Sequence, residues 1–115
     1  VKELDALCRE VVFLRDGNKC RKCGKESGLF DWAHVHSRRS RVLRWNLLNS
    51  LVLCRACHMR WHDASPGAGD AMLKWWKAEV GPEVVTKLDL LKFTKPRKTD
   101  PELVRAYLEA ERKKL

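Results

Sequence analysis

Apolar residues at Leu4, Leu7, Cys8 and Val11 recur at the spacing of one helix face, so residues 2–15 predict an amphipathic helix. Cys8 falls on that stripe and reads as a small core residue. Asp16-Gly17-Asn18 carries turn chemistry and ends the helix. A tight knuckle follows at Cys20-Arg21-Lys22-Cys23-Gly24. Residues 29–35 and 51–53 then predict two short strands, with a basic loop at 37–44 between them, and residues 54–62 read as a second knuckle running into a helix. Beyond the loop Ser65-Pro66-Gly67-Ala68-Gly69, Asp70 is suited to cap a helix bearing Met72, Leu73, Trp76 and Val80 on one side. Gly81-Pro82 stops it, and Pro82 opens another helix with Val84, Val85, Leu88 and Leu91 apolar. Lys95-Pro96-Arg97-Lys98 is a basic connector. Asp100-Pro101 starts a last helix, with Leu103, Val104, Tyr107 and Leu108 on one face. Arg112, Lys113 and Lys114 close that helix and complement its dipole. No internal repeat and no low-complexity tract is visible. The pattern predicts a small α+β chain.

Charge sharpens the picture. The 115 residues carry 24 Lys and Arg against 15 Asp and Glu, a formal charge of +9. Residues 1–62 hold 13 basic and 6 acidic side chains (+7), whereas 63–115 hold 11 and 9 (+2). The positive charge therefore collects in the half that holds the cysteines and histidines. A polyanionic partner follows, with nucleic acid first, although a merely soluble basic protein would have the same composition. No apolar run approaches the roughly 18 residues of a membrane span, and the start shows no signal-peptide layout. Val1 is not a Met, which predicts an original N-terminus further upstream. These features predict an intracellular, cytoplasmic protein.

Four of the five cysteines form two Cys-x-x-Cys pairs, Cys20/Cys23 and Cys54/Cys57. Four thiolates suit tetrahedral Zn²⁺, and in a chain without a secretion signal zinc is the better reading than disulfides. The thirty residues between the pairs leave room for a strand, a loop and a second strand. A structural zinc ion would fasten both ends of that unit.

A second constellation overlaps the first. His34 ends the first predicted strand, Asn49 lies 15 residues on, His58 follows 9 residues later and His62 is 4 beyond that. Imidazoles at i and i+4 share one helix face, a credible divalent-metal site. These residues resemble the HNH nuclease family. The likeness covers Cys20 to about His62: Ala33-His34-Val35 with Ser37-Arg38, then Asn49 through Cys54, Cys57-His58 and His62, nested inside the two cysteine pairs. The Trp-rich stretch beyond His62 fits more loosely. The resemblance implies a ββα-metal core with a structural zinc site of four cysteines, flanked by an N-terminal helix and C-terminal helices. It implies a nuclease domain at residues 1–95 with its core at 18–65, and a basic connector and helix at 96–115 packed on the same domain.

By that resemblance His34 is the general base, a role suited to an imidazole that titrates near neutral pH. Asn49 holds and orients His34 through its amide. His58 and His62 bind one divalent cation, Mg²⁺ or Mn²⁺, at the scissile phosphate. The implied activity is hydrolysis of DNA phosphodiester bonds, leaving 5′-phosphate and 3′-hydroxyl ends, with nicking the simpler outcome for a single site. The layout is that of small bacteriophage proteins, with phage packaging or replication proteins as partners; oligomeric state and target sequence are open. One position departs from the family: many members place a His or Asp ligand immediately before the base, and here that residue is Ala33. Asp31 is a weak substitute, since it alternates to the face opposite His34, and His36 a weaker one. Arg38, Arg39, Arg41 and Arg44 crowd the loop after His34, while Arg55 and Arg60 flank the second knuckle. Arginine forks suit phosphates, so these six form the expected DNA-backbone contacts. Most of the five tryptophans read as core, with Trp45 as a candidate wedge. Nothing resembles a base-reading helix, which predicts weak sequence preference. The alternatives are a zinc-stapled DNA-binding module without catalysis, or an HNH domain inactivated at Ala33.

Overall fold

The computed structural model describes residues 2–37, 39–63, 67–94 and 98–115, with Ala68 described by its backbone alone. Helix α1 spans Lys2–Arg15. Strands β1 (Phe30–His34) and β2 (Ser50–Cys54) follow, with a 3₁₀ turn at Leu47–Asn49 between them. Four more helices complete the chain: α2 (Arg55–Trp61), α3 (Ala68–Val80), α4 (Pro82–Lys92) and α5 (Pro101–Lys113). The described residues therefore form a small α+β fold with five α-helices and one two-stranded antiparallel sheet. None of those helices is long and apolar enough to cross a membrane.

The predicted helices and strands are present, with shifted ends. The first strand is a residue shorter at each end than 29–35, and the second is a residue longer at each end than 51–53. The second gains its end residues through the pairing of Ser50 with His34 and of Cys54 with Phe30, and all five of its residues are buried. Helix α1 ends in a Schellman turn: the Asn18 amide donates to the Phe13 carbonyl, that of Gly17 to Leu14, and Gly17 adopts φ 71°. Asp70 is not a cap. Helix α3 begins three residues earlier than an Asp70 cap would place it, behind Gly67 at φ 85°, which leaves Asp70 in the first turn, where its charge still suits the helix dipole. Asp100 does cap α5, accepting from the Glu102 amide. Residues 65–66 of the expected loop and residues 95–97 of the basic connector lie outside the described residues.

A two-stranded sheet is marginal in water by itself, so what covers it decides the fold. The register pairs Trp32 with Val52 and Ala33 with Leu51. Val52 packs into one cluster with Leu4, Cys8, Val11 and Val12 of α1, Trp45, and Leu108 of α5. Leu51 and Leu53 pack into the other, with Ala33, Leu43, Met72, Trp76, Leu88 and three of the knuckle cysteines. Both faces of the sheet are therefore buried, each by different helices. Helix α5 lies parallel to α1: Arg105 pairs with Glu3 at 2.9 Å and Arg112 with Glu10 at 3.3 Å, the same offset along both helices. At the centre, Arg15 donates to the carbonyls of Leu47 and Ser50, while Asp16 accepts from the Val52 amide. The end of α1 is thus tied to β2.

Candidate functional site

The four knuckle cysteines meet. Their sulfur atoms all lie within 4.8 Å of one another, although Cys20 and Cys57 are 37 residues apart. The Cys23 and Cys54 sulfurs are 3.8 Å apart, and all five cysteines are free thiols. Tetrahedral bonds of about 2.3 Å would set ligand sulfurs about 3.8 Å apart. The local backbone explains the convergence. The Cys20 amide donates to the Lys25 carbonyl, the Gly24 amide to Cys20, and Gly24 takes φ 77° to close the first knuckle. Cys54 caps α2, its sulfur accepting from the Cys57 amide at 3.5 Å. Burial pushes the Cys57 thiol up to about 12, and the neighbouring Cys54 and Cys20 sulfurs add to it. Cys20 moves the other way, to about 7: burial opposes ionisation, but surrounding backbone amides outweigh it. Four thiols this close cannot all ionise without a cation among them, and the cluster could hold a structural metal ion such as zinc.

The two helical histidines also meet. His58 lies on α2 and His62 at its C-cap, with their Nε2 atoms 3.1 Å apart. Metal–nitrogen bonds of about 2.1 Å at angles of about 90–110° would place two ligand nitrogens about 3.0–3.4 Å apart. The other ring nitrogen of His58, Nδ1, is 3.0 Å from the Asp31 carboxylate. An ionised carboxylate can only accept, so this contact requires a proton on Nδ1, and in the neutral ring the lone pair then lies on Nε2, facing His62 Nε2 at hydrogen-bond distance. Arg55 forks onto both oxygens of the same carboxylate, at 3.0 and 3.2 Å. Burial works against ionisation of Asp31, but Arg55 and His58 outweigh it and hold the carboxyl below its ordinary value. Asp31 therefore reaches His58 from behind rather than joining the Nε2 pair. It stands where sheet alternation predicts, on the face away from His34.

His34 closes β1 beside Trp32, with ring centroids 4.2 Å apart at 61°. Its carbonyl accepts from the Trp61 indole at 3.1 Å, which ties the strand end to α2. Asn49, fully buried, does not hold the His34 ring directly. Its amide nitrogen donates to the carbonyls of His36 and Leu43, and its oxygen accepts from the His36 amide. With the Val35 amide on the Asn49 carbonyl, these bonds fix the backbone immediately after His34. Asn49 thus acts on the strand end and not on the imidazole. Ala33 is fully buried opposite Leu51, so its position belongs to the core. His36 turns away to α4, 3.5 Å from Asp89. Burial, with Lys92 adding to it, lowers its pKa.

His34, His58 and His62 line one cleft of about 1120 Å³ together with Asp31, Trp32 and Trp61. Residues from both faces of β1 line it, so the cleft runs along the unpaired edge of that strand. The expected arginines divide. Arg39 is exposed and lines the cleft. Arg41 and Arg60 are exposed outside it, while Arg38 lies outside the described residues. Arg44 forks onto Asp5 at 2.6 and 3.0 Å, and Arg55 is taken by Asp31, so both hold a carboxylate where a phosphate contact was expected. Trp45 is core, its indole donating to Asp5 at 2.9 Å, which ends its reading as a wedge. Sequence reasoning missed Trp61 and Arg9, the latter contributed to the cleft by α1. The signal available for Arg9 was Phe13 four residues on, within helical reach. No family model, curated protein or solved structure matches the chain.

Proposed function

We propose that this chain is an HNH endonuclease that hydrolyses DNA phosphodiester bonds with a divalent cation, its ββα core stapled by zinc at Cys20, Cys23, Cys54 and Cys57. The observation that carries the reading is the Nε2 pair of His58 and His62, 3.1 Å apart in the cleft that His34 also lines. A Mg²⁺ or Mn²⁺ ion at that pair would supply charge neutralisation at the scissile phosphate and the leaving 3′ oxygen. His34 takes a proton from water as it attacks phosphorus. Asn49 and Trp61 keep the end of β1, and so His34, in place. Asp31, on Nδ1, holds the neutral His58 ring in the tautomer whose Nε2 lone pair faces His62. The bond from phosphorus to the 3′ oxygen breaks, and the departing oxygen takes a proton from solvent water, which leaves a 5′-phosphate and a 3′-hydroxyl. His58 and His62 would hold the cation, and because Ala33 offers no ligand, water and phosphate oxygens would have to supply the rest of its shell. The same feature favours the second reading, a zinc-stapled DNA-binding module without catalysis.

Cleavage of supercoiled plasmid by wild type and His34→Ala, in Mg²⁺, Mn²⁺ or EDTA, tests this. The expected result is relaxed circles from wild type alone and only with metal, with the variant down by about 10²–10⁴-fold. Plasmid binding without cleavage by wild type in either metal would overturn the enzyme reading and leave the binding module.

A further inference from the structure

The cleft is electrically divided. On the α2 and α3 side stand His58, His62 and Asp70, with Asp31 behind His58 and already paired with Arg55. On the side of α1 and the basic loop stand Arg9, Arg39 and Arg44. The sheet register gives the same division, because Trp32 pairs with Val52 in the α1 cluster and Asp31 with Leu53 in the α3–α4 cluster. The three arginines differ in what they already hold. Arg44 is bound to Asp5 through two hydrogen bonds. Arg9 is exposed, with its guanidinium carbon 4.1 Å from the centroid of the Phe13 ring. No carboxylate lies within ion-pair distance of it among the described residues.

We infer that Arg9, on the helix outside the HNH-like segment, is a DNA phosphate contact that forms the far wall of the cleft opposite the histidine pair. Stacking on Phe13 leaves the in-plane N–H donors of a guanidinium open, the geometry that suits a phosphate fork. The stacking also restricts a side chain that would otherwise lose considerable rotamer freedom on binding. A DNA backbone lying along the edge of β1 meets Arg9 and Arg39 on one side and the cation-binding groups on the other. The separation matters, because phosphate contacts set the register of a substrate while leaving its sequence unread. The inference rests on the DNA-cleaving reading above but concerns a residue that the family likeness does not reach.

Fluorescence anisotropy of a short fluorescein-labelled DNA duplex, titrated with protein at several salt concentrations in Ca²⁺, tests it. Arg9→Ala should weaken binding several-fold at low salt and lower the slope of log Kd against log salt by about 0.9, the signature of one lost phosphate contact. Lys113→Ala makes the same charge change on the exposed end of α5 and should leave the slope unchanged. Position 9 is exposed on a helix, so the alanine should fold, and circular dichroism checks that it does. Equal slopes for Arg9→Ala, Lys113→Ala and wild type would overturn the inference while wild-type binding stands. Failure of wild type to bind any duplex would overturn the DNA reading, and the inference with it.

Discussion

Two of the four thiols and both imidazoles share nine residues of chain, from Cys54 to His62, yet the two sets build opposite kinds of site. The cysteine cluster draws two ligands from the start of α2 and two from a knuckle more than thirty residues earlier, so its geometry exists only when the chain is folded around it. Three of its four residues are buried. The histidine pair comes from adjacent turns of one short helix segment and opens onto a wide cleft. A closed tetrahedron of thiolates leaves no position for a substrate, whereas two nitrogens leave several. One site can hold the fold together, and the other can exchange its remaining ligands. Their proximity has a structural use: the Cys54 sulfur that caps α2, the helix that carries His58, also lies 3.8 Å from the Cys23 sulfur of the first knuckle.

Breaking the closed site should have the largest effect. Structural zinc bound by four thiolates contributes on the order of 10–16 kcal/mol in small domains. Whole domains are stable by about 5–15 kcal/mol, so losing that contribution can exceed everything else. Cys57→Ser, or removal of metal with a strong chelator, should therefore abolish the cooperative thermal transition, as followed by circular dichroism with metal content measured alongside. The two apolar clusters would have to hold the sheet alone, and a retained transition would mean that they do.

The open site separates positioning from ligation. Asp31→Ala should lower Mn²⁺ affinity, measured by calorimetry, by about 10–100-fold, the usual cost of losing the partner of a metal-binding imidazole. Asp31→Asn keeps an oxygen that can accept from the Nδ1–H of His58, and should stay within a few-fold of wild type. Equal losses in both variants would make Asp31 a direct ligand, and no loss in either would remove it from the site. His58→Ala serves as the reference: if it too binds Mn²⁺ unchanged, the histidine pair is not the cation site.

The same contrast governs what the sequence discloses. Cysteine spacing and helical periodicity are local, so the knuckles, the helices and the facing of His58 toward His62 were legible in the chain. The alternation of β1 correctly placed Asp31 on the face away from His34, but it could not tell that α2 crosses that face and brings His58 to the carboxylate. Asn49 was legible as a holding residue. That it grips the backbone of His36 and Leu43 instead of the His34 ring depends on the path of the intervening loop. The arginines show the limit most plainly. Charge density along the loop treats Arg39, Arg41 and Arg44 alike, whereas the fold places Asp5, 39 residues away in sequence, against Arg44. Long-range pairing of this kind leaves no trace in local composition.

Arg44 and Arg39 therefore give the smallest but sharpest test of that limit. Arg44 makes a two-point contact with Asp5, which also accepts from the Trp45 indole, and both charged side chains are mostly buried. Removing it leaves a partly buried carboxylate with its main cationic partner gone. Hydrogen bonds to charged groups are worth about 1.5–3 kcal/mol, and the remaining solvent access brings the expected cost of Arg44→Ala to about 1–2 kcal/mol. That should appear as a lower urea midpoint at unchanged slope, with little change in the salt dependence of DNA binding. Arg39→Ala should do the reverse: an unchanged midpoint, and a salt slope reduced by about 0.9. If Arg44→Ala instead flattens the salt slope, phosphate competes successfully with Asp5 for the guanidinium. The contact between α1 and the loop would then be one that DNA opens, and not a fixed brace of the fold.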